Sequence, residues 1–314
     1  MPLYFFALFI CLIPVSVNAQ DDEVIRVNTN LITVPVFVTD SKNRRISGLN
    51  EEDFSLLDNG QKVSITHFSA GAEKVSLLFA LDASGSVREI AGKERKSAIS
   101  LFQHFRAGSQ ISVVHFNDVV NVAVPFTNDL EKAEKGFVIP VQANRKTAIF
   151  DAALSSLTVF ASKENDPTER KIIIILSDGL DNLSRTKPQN VIEEANKLGV
   201  SIYVLHLPLY MAGGNDLKLR KPSKGFRDLA EKTGGIYFIL GDVQTLLLPN
   251  ATYDLTKVIK TIEDDLKSQY IIGYYPEDFS SNNQARKVSV KLNAKDKQKL
   301  RVRLLREIFT LKGN

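Results

Sequence analysis

The sequence predicts an α/β protein: a doubly wound, mostly parallel sheet of six strands, inserted between N- and C-terminal β-strands that are expected to form a small β-sandwich. Three observations predict it. Val75 to Leu81 (VSLLFAL) is apolar almost without interruption, as in a strand covered on both faces, and it ends abruptly in Asp82. From Val75 to Gly241 such runs alternate with stretches of helical period, which a parallel sheet with crossover helices requires. Outside that region, before residue 74 and after residue 268, the pattern changes to the period-two alternation of half-buried strands.

Residues 1–20 carry no charged side chain, are apolar from Leu3 to Val17 and end Val17-Asn18-Ala19, the small-residue pattern of a cleaved export signal. The stretch lacks the usual early positive residue and is short for a membrane span. Cleavage would remove the only cysteine, Cys11, whose preceding residues LFI do not form a lipoprotein cleavage box. The mature chain would then have no disulfide and would rest on its core, a pattern that suits a bacterial envelope.

Residues 21–73 read as β-strands of an accessory module: Val24 to Asp40, then Phe54 to Leu57 and Val63 to Phe68 around an Asp58-Asn59-Gly60 turn. Three strands are too few to close a module. Residues 74–241 hold the α/β domain, about 170 residues and so of ordinary single-domain size. Its expected strands are Val75–Asp82, Gln110–Phe116, Val120–Pro125, Lys171–Ser177, Ser201–Leu207 and Gly235–Leu240, and its helices Ser86–Arg106, Ala148–Lys163, Pro188–Leu198 and Pro222–Lys232. Val120–Pro125 follows its neighbour after a short turn and is expected as an antiparallel edge. Pro188 suits a first helical position, and Gly199 and Gly234 suit helix ends. Residues 242–268 read as a connecting helix, interrupted near Pro249, that carries the chain away from the domain. Residues 269–314 return to strands at Gln269–Tyr275, Arg286–Asn293 and Lys299–Glu307. Three strands before the domain and three after it would make one sandwich; two unrelated β appendages are the alternative.

The 314 residues, 44% hydrophobic and 24% charged, suffice for one large core or two smaller ones. The formal charge is +4 and the pI about 8.9, without a long basic run, which does not indicate nucleic-acid binding.

The chemistry concentrates at strand ends. In open α/β sheets ligands collect beyond the carboxyl ends of the strands, where Asp82 sits with Ser84 and Ser86. The spacing Asp82-x-Ser84-x-Ser86 puts three oxygen-bearing side chains on one tight loop relaxed by Gly85, a set that suits a hard divalent cation. Taken alone, the pentapeptide reads equally well as an N-cap. Two later stretches tilt the balance: KIIIILSD ends in Asp178 as the first run ends in Asp82, and NRKTAIFD delivers Thr147 just before a helix.

These residues resemble the von Willebrand factor type A family, whose metal-ion-dependent adhesion site uses the D-x-S-x-S loop, a distant threonine and a distant aspartate. The resemblance implies that Asp82, Ser84, Ser86, Thr147 and Asp178 are the metal ligands and that Asp181, in SDGLD, supports them from behind. It further implies Mg2+, with Mn2+ or Ca2+ possible, and a protein partner whose Asp or Glu completes the metal shell. The segments SLLDNGQKVSITHFS and YIIGYYP flanking the α/β core also resemble the acidobacterial von Willebrand factor A-related exported proteins.

The expected function is therefore an exported adhesion or assembly module, secreted, periplasmic or envelope-associated, with no nucleic-acid partner and no membrane span after cleavage. The alternative is an envelope scaffold with a structural metal and a binding surface on the β-sandwich. An enzyme is not expected. Ser84 stands where a haloacid dehalogenase-type phosphatase has its second aspartate, no G-x-S-x-G elbow surrounds the serines, and His67, His104, His115 and His206 offer no H-E-x-x-H pair. His115 and His206 read as packed. Tyr270 and Tyr274 read as sandwich core more than as a binding patch with Tyr275, Lys295 to Arg306 as a solvated strand edge, and Met211 to Asp216 as a flexible loop beside the metal face.

Overall fold

A computed structural model describes residues 31–310 apart from 43, 72–73, 84–98, 100–102, 104–107, 141–145, 164–165, 167–168, 214–215, 242–254, 277–284, 294–298 and 305–306. The expected signal segment with Cys11, Ser84 and Ser86 lie outside the described residues. Of the helix expected over Ser86–Arg106, Ile99 and Gln103 are described, and both are helical.

The chain opens with β1 (Ile32–Thr39), β2 (Phe54–Asp58), β3 (Gln61–Val63) and β4 (His67–Ala70). Next come β5 (Val75–Asp82), β6 (Gln110–Phe116), β7 (Val120–Thr127), α1 (Leu130–Gly136) and α2 (Ile149–Ala161). Then follow β8 (Arg170–Ser177), α3 (Pro188–Leu198), β9 (Val200–His206), β10 (Tyr210–Gly213), β11 (Asp216–Leu219), α4 (Phe226–Glu231) and β12 (Tyr237–Ile239). Helix α5 (Thr256–Lys267) leads to β13 (Tyr270–Tyr274), β14 (Ala285–Leu292), β15 (Arg301–Leu304) and β16 (Ile308–Thr310).

The central sheet runs β12-β9-β8-β5-β6-β7, parallel except for β7, which is the antiparallel edge. Strand β5 is buried along its whole length because its alternate side chains serve two cores. Leu77, Phe79 and Leu81 face a layer containing Phe137, Ile259, Ile262 and Leu266, while Leu78 and Ala80 face α2, α3 and α4. Each fully buried Leu or Ile contributes about 2 kcal/mol, so the middle of the sheet is rigid and its strand ends are held in place. The continuous apolarity that predicted these strands is a direct result of this double burial.

Helix α5 is not a spur leading away from the domain. Its apolar stripe, Ile259, Ile262 and Leu266, is packed on the sheet. Helix α1 was not expected; Asp129 caps it by accepting from the backbone N–H groups of Glu131 and Lys132 at 3.0 and 3.2 Å. Of the segment read as a loop, Met211 to Asp216, the described residues Met211–Gly213 and Asp216 are paired strand, with β10 against β11 from Tyr210↔Leu219 to Gly213↔Asp216.

The two chain ends meet in two four-stranded antiparallel sheets, β15-β1-β13-β4 and β16-β14-β2-β3. Their inward residues form one core that includes Val34, Val36, Leu56, Ile272 and Val288. Four strands come from each end rather than three. The single strand expected at Val63–Phe68 is two strands in different sheets: β3 pairs β2, the chain crosses at Ser64–Thr66, and β4 pairs β13. Val63, Ile65 and Phe68 all pack on the shared core; the step from Ile65 to Phe68 is three residues instead of two, a break in alternation that marks the corner. Tyr270 and Tyr274 are buried in this core and Tyr275 is exposed.

The sandwich and the α/β domain are joined by buried polar contacts. Arg45 Nε donates to Asp265 Oδ1 at 2.6 Å and Arg45 Nη2 to the Gly234 carbonyl at 2.9 Å, while Tyr203 Oη donates to Asp265 Oδ2 at 2.6 Å. One carboxylate thus ties the loop after β1, helix α5 and strand β9.

Candidate metal centre

Pairing of β5 with β8 and β6 aligns their carboxyl ends: Leu81 faces Leu176, and Asp82 faces Phe116. Asp82, fully buried, therefore stands beside Ser177, whose hydroxyl donates to Asp82 Oδ2 at 2.7 Å and accepts the Gly179 N–H at 3.1 Å. This hydroxyl links the first aspartate to the loop that carries the second.

Asp178 follows immediately. Its Oδ1 accepts the Leu180 N–H at 2.9 Å, closing a tight turn that Gly179 permits by adopting φ +79°. A Cβ on Gly179 would lie 2.8 Å from Pro222 Cβ and 2.9 Å from the Phe226 ring. Burial pushes the Asp178 carboxyl above its ordinary pKa, opposed by the Leu180 N–H and by the Arg220 charge. His206 Nε2 donates to the Asp178 carbonyl at 3.0 Å, and Tyr237 Oη donates to His206 Nδ1 at 2.6 Å. Burial holds the His206 imidazole below its ordinary pKa, in keeping with a neutral ring that accepts at Nδ1 and donates at Nε2.

Thr147 is also nearly buried and is brought to the same edge by its backbone. Its N–H donates to Asn182 Oδ1 at 3.0 Å and its carbonyl accepts the Asn182 N–H at 3.0 Å. The next residue, Ala148, donates its N–H to the Asn117 carbonyl at the end of β6, at 2.8 Å. Asp82, Thr147 and Asp178 are thus gathered on one edge of the sheet.

Asp181 stands behind these residues, at the start of α2. The N-cap of α2, Ala148, makes no capping bond through its side chain. Instead the Phe150 N–H donates to Asp181 Oδ2 at 3.2 Å and to Ser184 Oγ at 3.0 Å, and the Ser184 hydroxyl donates to Asp181 Oδ2. In return Asp151 Oδ1 accepts the Thr186 N–H at 2.8 Å. The loop bearing Asp178 caps the helix that follows Thr147, and that helix anchors the loop.

Sequence reasoning missed Ser177, Asn182 and Ser184. The signal for Ser177 is its place just before Asp178 at the end of an apolar run, which puts it opposite Asp82 once the register is known. A cavity of about 280 Å³ lies beside Asp82, lined by Ala83, His115, Phe116, Asn117, Val119 and Ile139 among others. His115 is buried there, with Nε2 donating to the Gly136 carbonyl at 2.6 Å, which is a packing role.

The donor chemistry suits a hard cation. The described donors are two carboxylates and a hydroxyl, and no group of three His, Cys, Asp or Glu that could hold a metal occurs among the described residues. An oxygen-only set of low charge favours magnesium-like ions over ions that need nitrogen or sulfur. Asp178 carries a desolvation cost that a neighbouring cation would offset.

The profile of the von Willebrand factor type A domain matches residues 76–251, more than half of the chain. The chain belongs to that family. Von Willebrand factor type A domains are protein-interaction and adhesion modules, and some hold a divalent cation at the adhesion site. An uncharacterized protein of Borreliella burgdorferi is 25% identical over 258 residues; the match covers 75% of this chain and 66%, just under two thirds, of that protein. Among solved structures, the von Willebrand factor type A protein of Catenulispora acidiphila has a TM-score of 0.45 at 13% identity, covering 89% of this chain and 72% of its own. An aerotolerance-related membrane protein of Bacteroides fragilis has a TM-score of 0.44 at 18% identity, covering 61% and 98%. The mussel byssus proximal thread matrix protein 1 with a zinc-occupied MIDAS motif has 0.46 at 19%, covering 62% and 48%. No helix among the described residues is long and apolar enough to cross a membrane.

Proposed function

We propose that this von Willebrand factor type A protein is an exported, non-enzymatic binding module of the bacterial envelope. Asp82, Ser84, Ser86, Thr147 and Asp178 hold a divalent cation, Mg2+ first and Mn2+ or Ca2+ as alternatives, and an Asp or Glu of a protein partner takes the open position. The observation that carries the reading is the Asp82–Ser177–Asp178 connection across two neighbouring strand ends, with Thr147 pinned to the same edge. Two carboxylates and three hydroxyls leave the ion with appreciable positive charge, so it attracts a further carboxylate. Export is supported by the uncharged, apolar residues 1–20 and the small residues at their end. The non-enzymatic reading is supported, among the described residues, by His115 and His206, whose rings are both engaged by backbone carbonyls.

Calorimetric titration with Mg2+, Mn2+ and Ca2+ tests the site. Saturable binding to the wild type and none to Asp82→Ala or Asp178→Ala is expected, with Thr147→Ala weakened and all three variants folded. The fold survives because losing one carboxylate also removes repulsion from an empty site. Failure of the wild type to bind any of the ions would sink the metal reading. Partner binding that persists in excess chelator, with the protein still folded, would favour instead a scaffold that binds through its β-sandwich.

A further inference from the structure

The face that carries Asp82, Thr147 and Asp178 is unevenly charged. The sequence from Leu217 to Phe226 holds Lys218, Arg220, Lys221 and Lys224 and no acid. Its second half is bound directly to the loop of Asp178: the Ser223 N–H donates to the Gly179 carbonyl at 2.8 Å, the Asp181 N–H donates to Ser223 Oγ at 2.8 Å, and Pro222 lies against Gly179. Arg220, Lys221 and Lys224 are exposed there. Lys146, next to Thr147, is exposed as well, and so is Arg185, whose backbone N–H donates to Asp151. Among the described residues none of these five forms an ion pair. The acids of this edge are turned inward: Asp151 and Asp181 accept backbone N–H groups, and Asp178 accepts from Leu180. On the other side of Asp82, the β6–β7 turn offers Asn117, Asp118 and Asn121 and no cation. The basic side is therefore the side of β8 and β9.

Cations beside a metal site weaken the metal. Arg220 stands two residues before Pro222, which lies against Gly179, and its positive field opposes a divalent ion held at that edge. Such a rim is favourable only once negative charge sits on it. We propose that Lys146, Arg185, Arg220, Lys221 and Lys224 form a rim that reads an acidic segment of a protein partner: one carboxylate meets the metal and further Asp or Glu residues extend over the β8 and β9 side. This rests on the metal reading above and specifies the partner as a run of acids rather than a lone one. Metal and partner then strengthen each other, because the acidic segment removes the repulsion that the rim exerts on the ion. Each exposed ion pair is worth about 1.5- to 5-fold in affinity; at about 2- to 2.5-fold apiece, three or four together give about tenfold or more, with much of the effect in the association rate.

The test is fluorescence anisotropy with two labelled Gly/Ser peptides, one holding a single Asp and one five Asp, titrated with the magnesium-loaded protein at 50 and 500 mM NaCl. The variants are Asp82→Ala, the triple variant Arg220→Gln/Lys221→Gln/Lys224→Gln, and a control with the same charge removed from the sandwich, Lys62→Gln/Lys291→Gln/Lys299→Gln. The five-Asp peptide should bind about tenfold or more tighter than the single-Asp peptide at low salt. That advantage should vanish at high salt and in the triple variant, and survive in the control. Magnesium affinity of the triple variant without peptide should be unchanged or higher, which separates the rim from the metal site. Five-Asp binding that needs the rim but persists in Asp82→Ala or in chelator would uphold the rim and sink the metal reading. Equal binding of the two peptides, no binding of either, or an unaffected triple variant would overturn the proposal. So would a twenty-nucleotide oligothymidylate binding as tightly as the five-Asp peptide, since the rim would then be a general polyanion surface.

Discussion

Ser177 shows how a single hydroxyl decides the geometry of the candidate centre. It donates to Asp82 Oδ2 from 95 residues away and accepts the Gly179 N–H, so it positions both aspartates at once. Groups that orient metal ligands typically account for 10- to 100-fold in affinity. Ser177→Ala should therefore weaken magnesium binding about tenfold or more in calorimetry, with Ser177→Thr restoring part of it. An unchanged dissociation constant in Ser177→Ala would make Ser177 a packing residue only. That Asp82, Thr147 and Asp178 share one edge of the sheet was legible in the sequence, because residue type and strand-end position together mark them. Ser177, Asn182 and Ser184 were not, because each acts through a bond to a residue 34 or more positions away that only the register brings near. Asp181 was legible as an accessory, but not that its carboxylate accepts from the open N-terminus of α2.

At the scale of elements, apolar runs buried on both faces were read correctly, since a strand such as β5 has no polar face to confuse its limits. Elements held by contacts with distant parts of the chain were read less well. The helical stripe of α5 was visible, but not that it covers the α/β sheet while Asp265 on the same helix meets Arg45 and Tyr203. That carboxylate is buried, with 2% of its side chain exposed against 20% for Arg45. Removing one partner of a buried pair strands the other charge, typically by about 3 kcal/mol. Arg45→Met should lower the unfolding free energy by about that much in urea titration and leave magnesium affinity unaltered. A loss below about 0.5 kcal/mol would reduce the contact to a surface ornament of the kind that contributes little. The corner at Ser64–Thr66 and the hairpin β10–β11 escaped for related reasons: apolar residues on both sides of the first merge into one apparent run, and the second depends on the pairing of flanks that carry no strong strand pattern of their own.

On the scale of the whole molecule, both crossings between sandwich and α/β domain lie at one place. The Gly71 N–H donates to the Gln269 carbonyl at 2.8 Å, and β4 and β13, the strands that deliver and recover the chain, are neighbours in register from Ala70↔Tyr270 to His67↔Gly273. The sequence revealed that strands from both ends share a module, but not that the two crossings are adjacent, because adjacency is a property of sheet order. The crossings sit at the amino-terminal edge of β5 and β8, where Arg170 Nη2 donates to the Gln269 carbonyl, while Asp82 and Asp178 sit at the opposite edge, about 25 Å away along the strands.

That arrangement gives the protein a mechanical axis. Tension applied to a partner on the far edge runs down the parallel strands and reaches the sandwich through β4 and β13 together, pulling both the same way, so their mutual bonds bear little of the load. The load falls on the five residue pairs joining β13 to β1, Ile32↔Tyr274 to Val36↔Tyr270, along the strand direction, where the bonds must yield together instead of peeling one by one. In single-molecule pulling between the metal edge and the sandwich, the first rupture should therefore come as one event. Val34→Pro, which introduces a second proline beside Pro35 and removes a ladder donor from β1, should lower that rupture force. A staircase of small yields in the unsubstituted protein would show that the strands unzip.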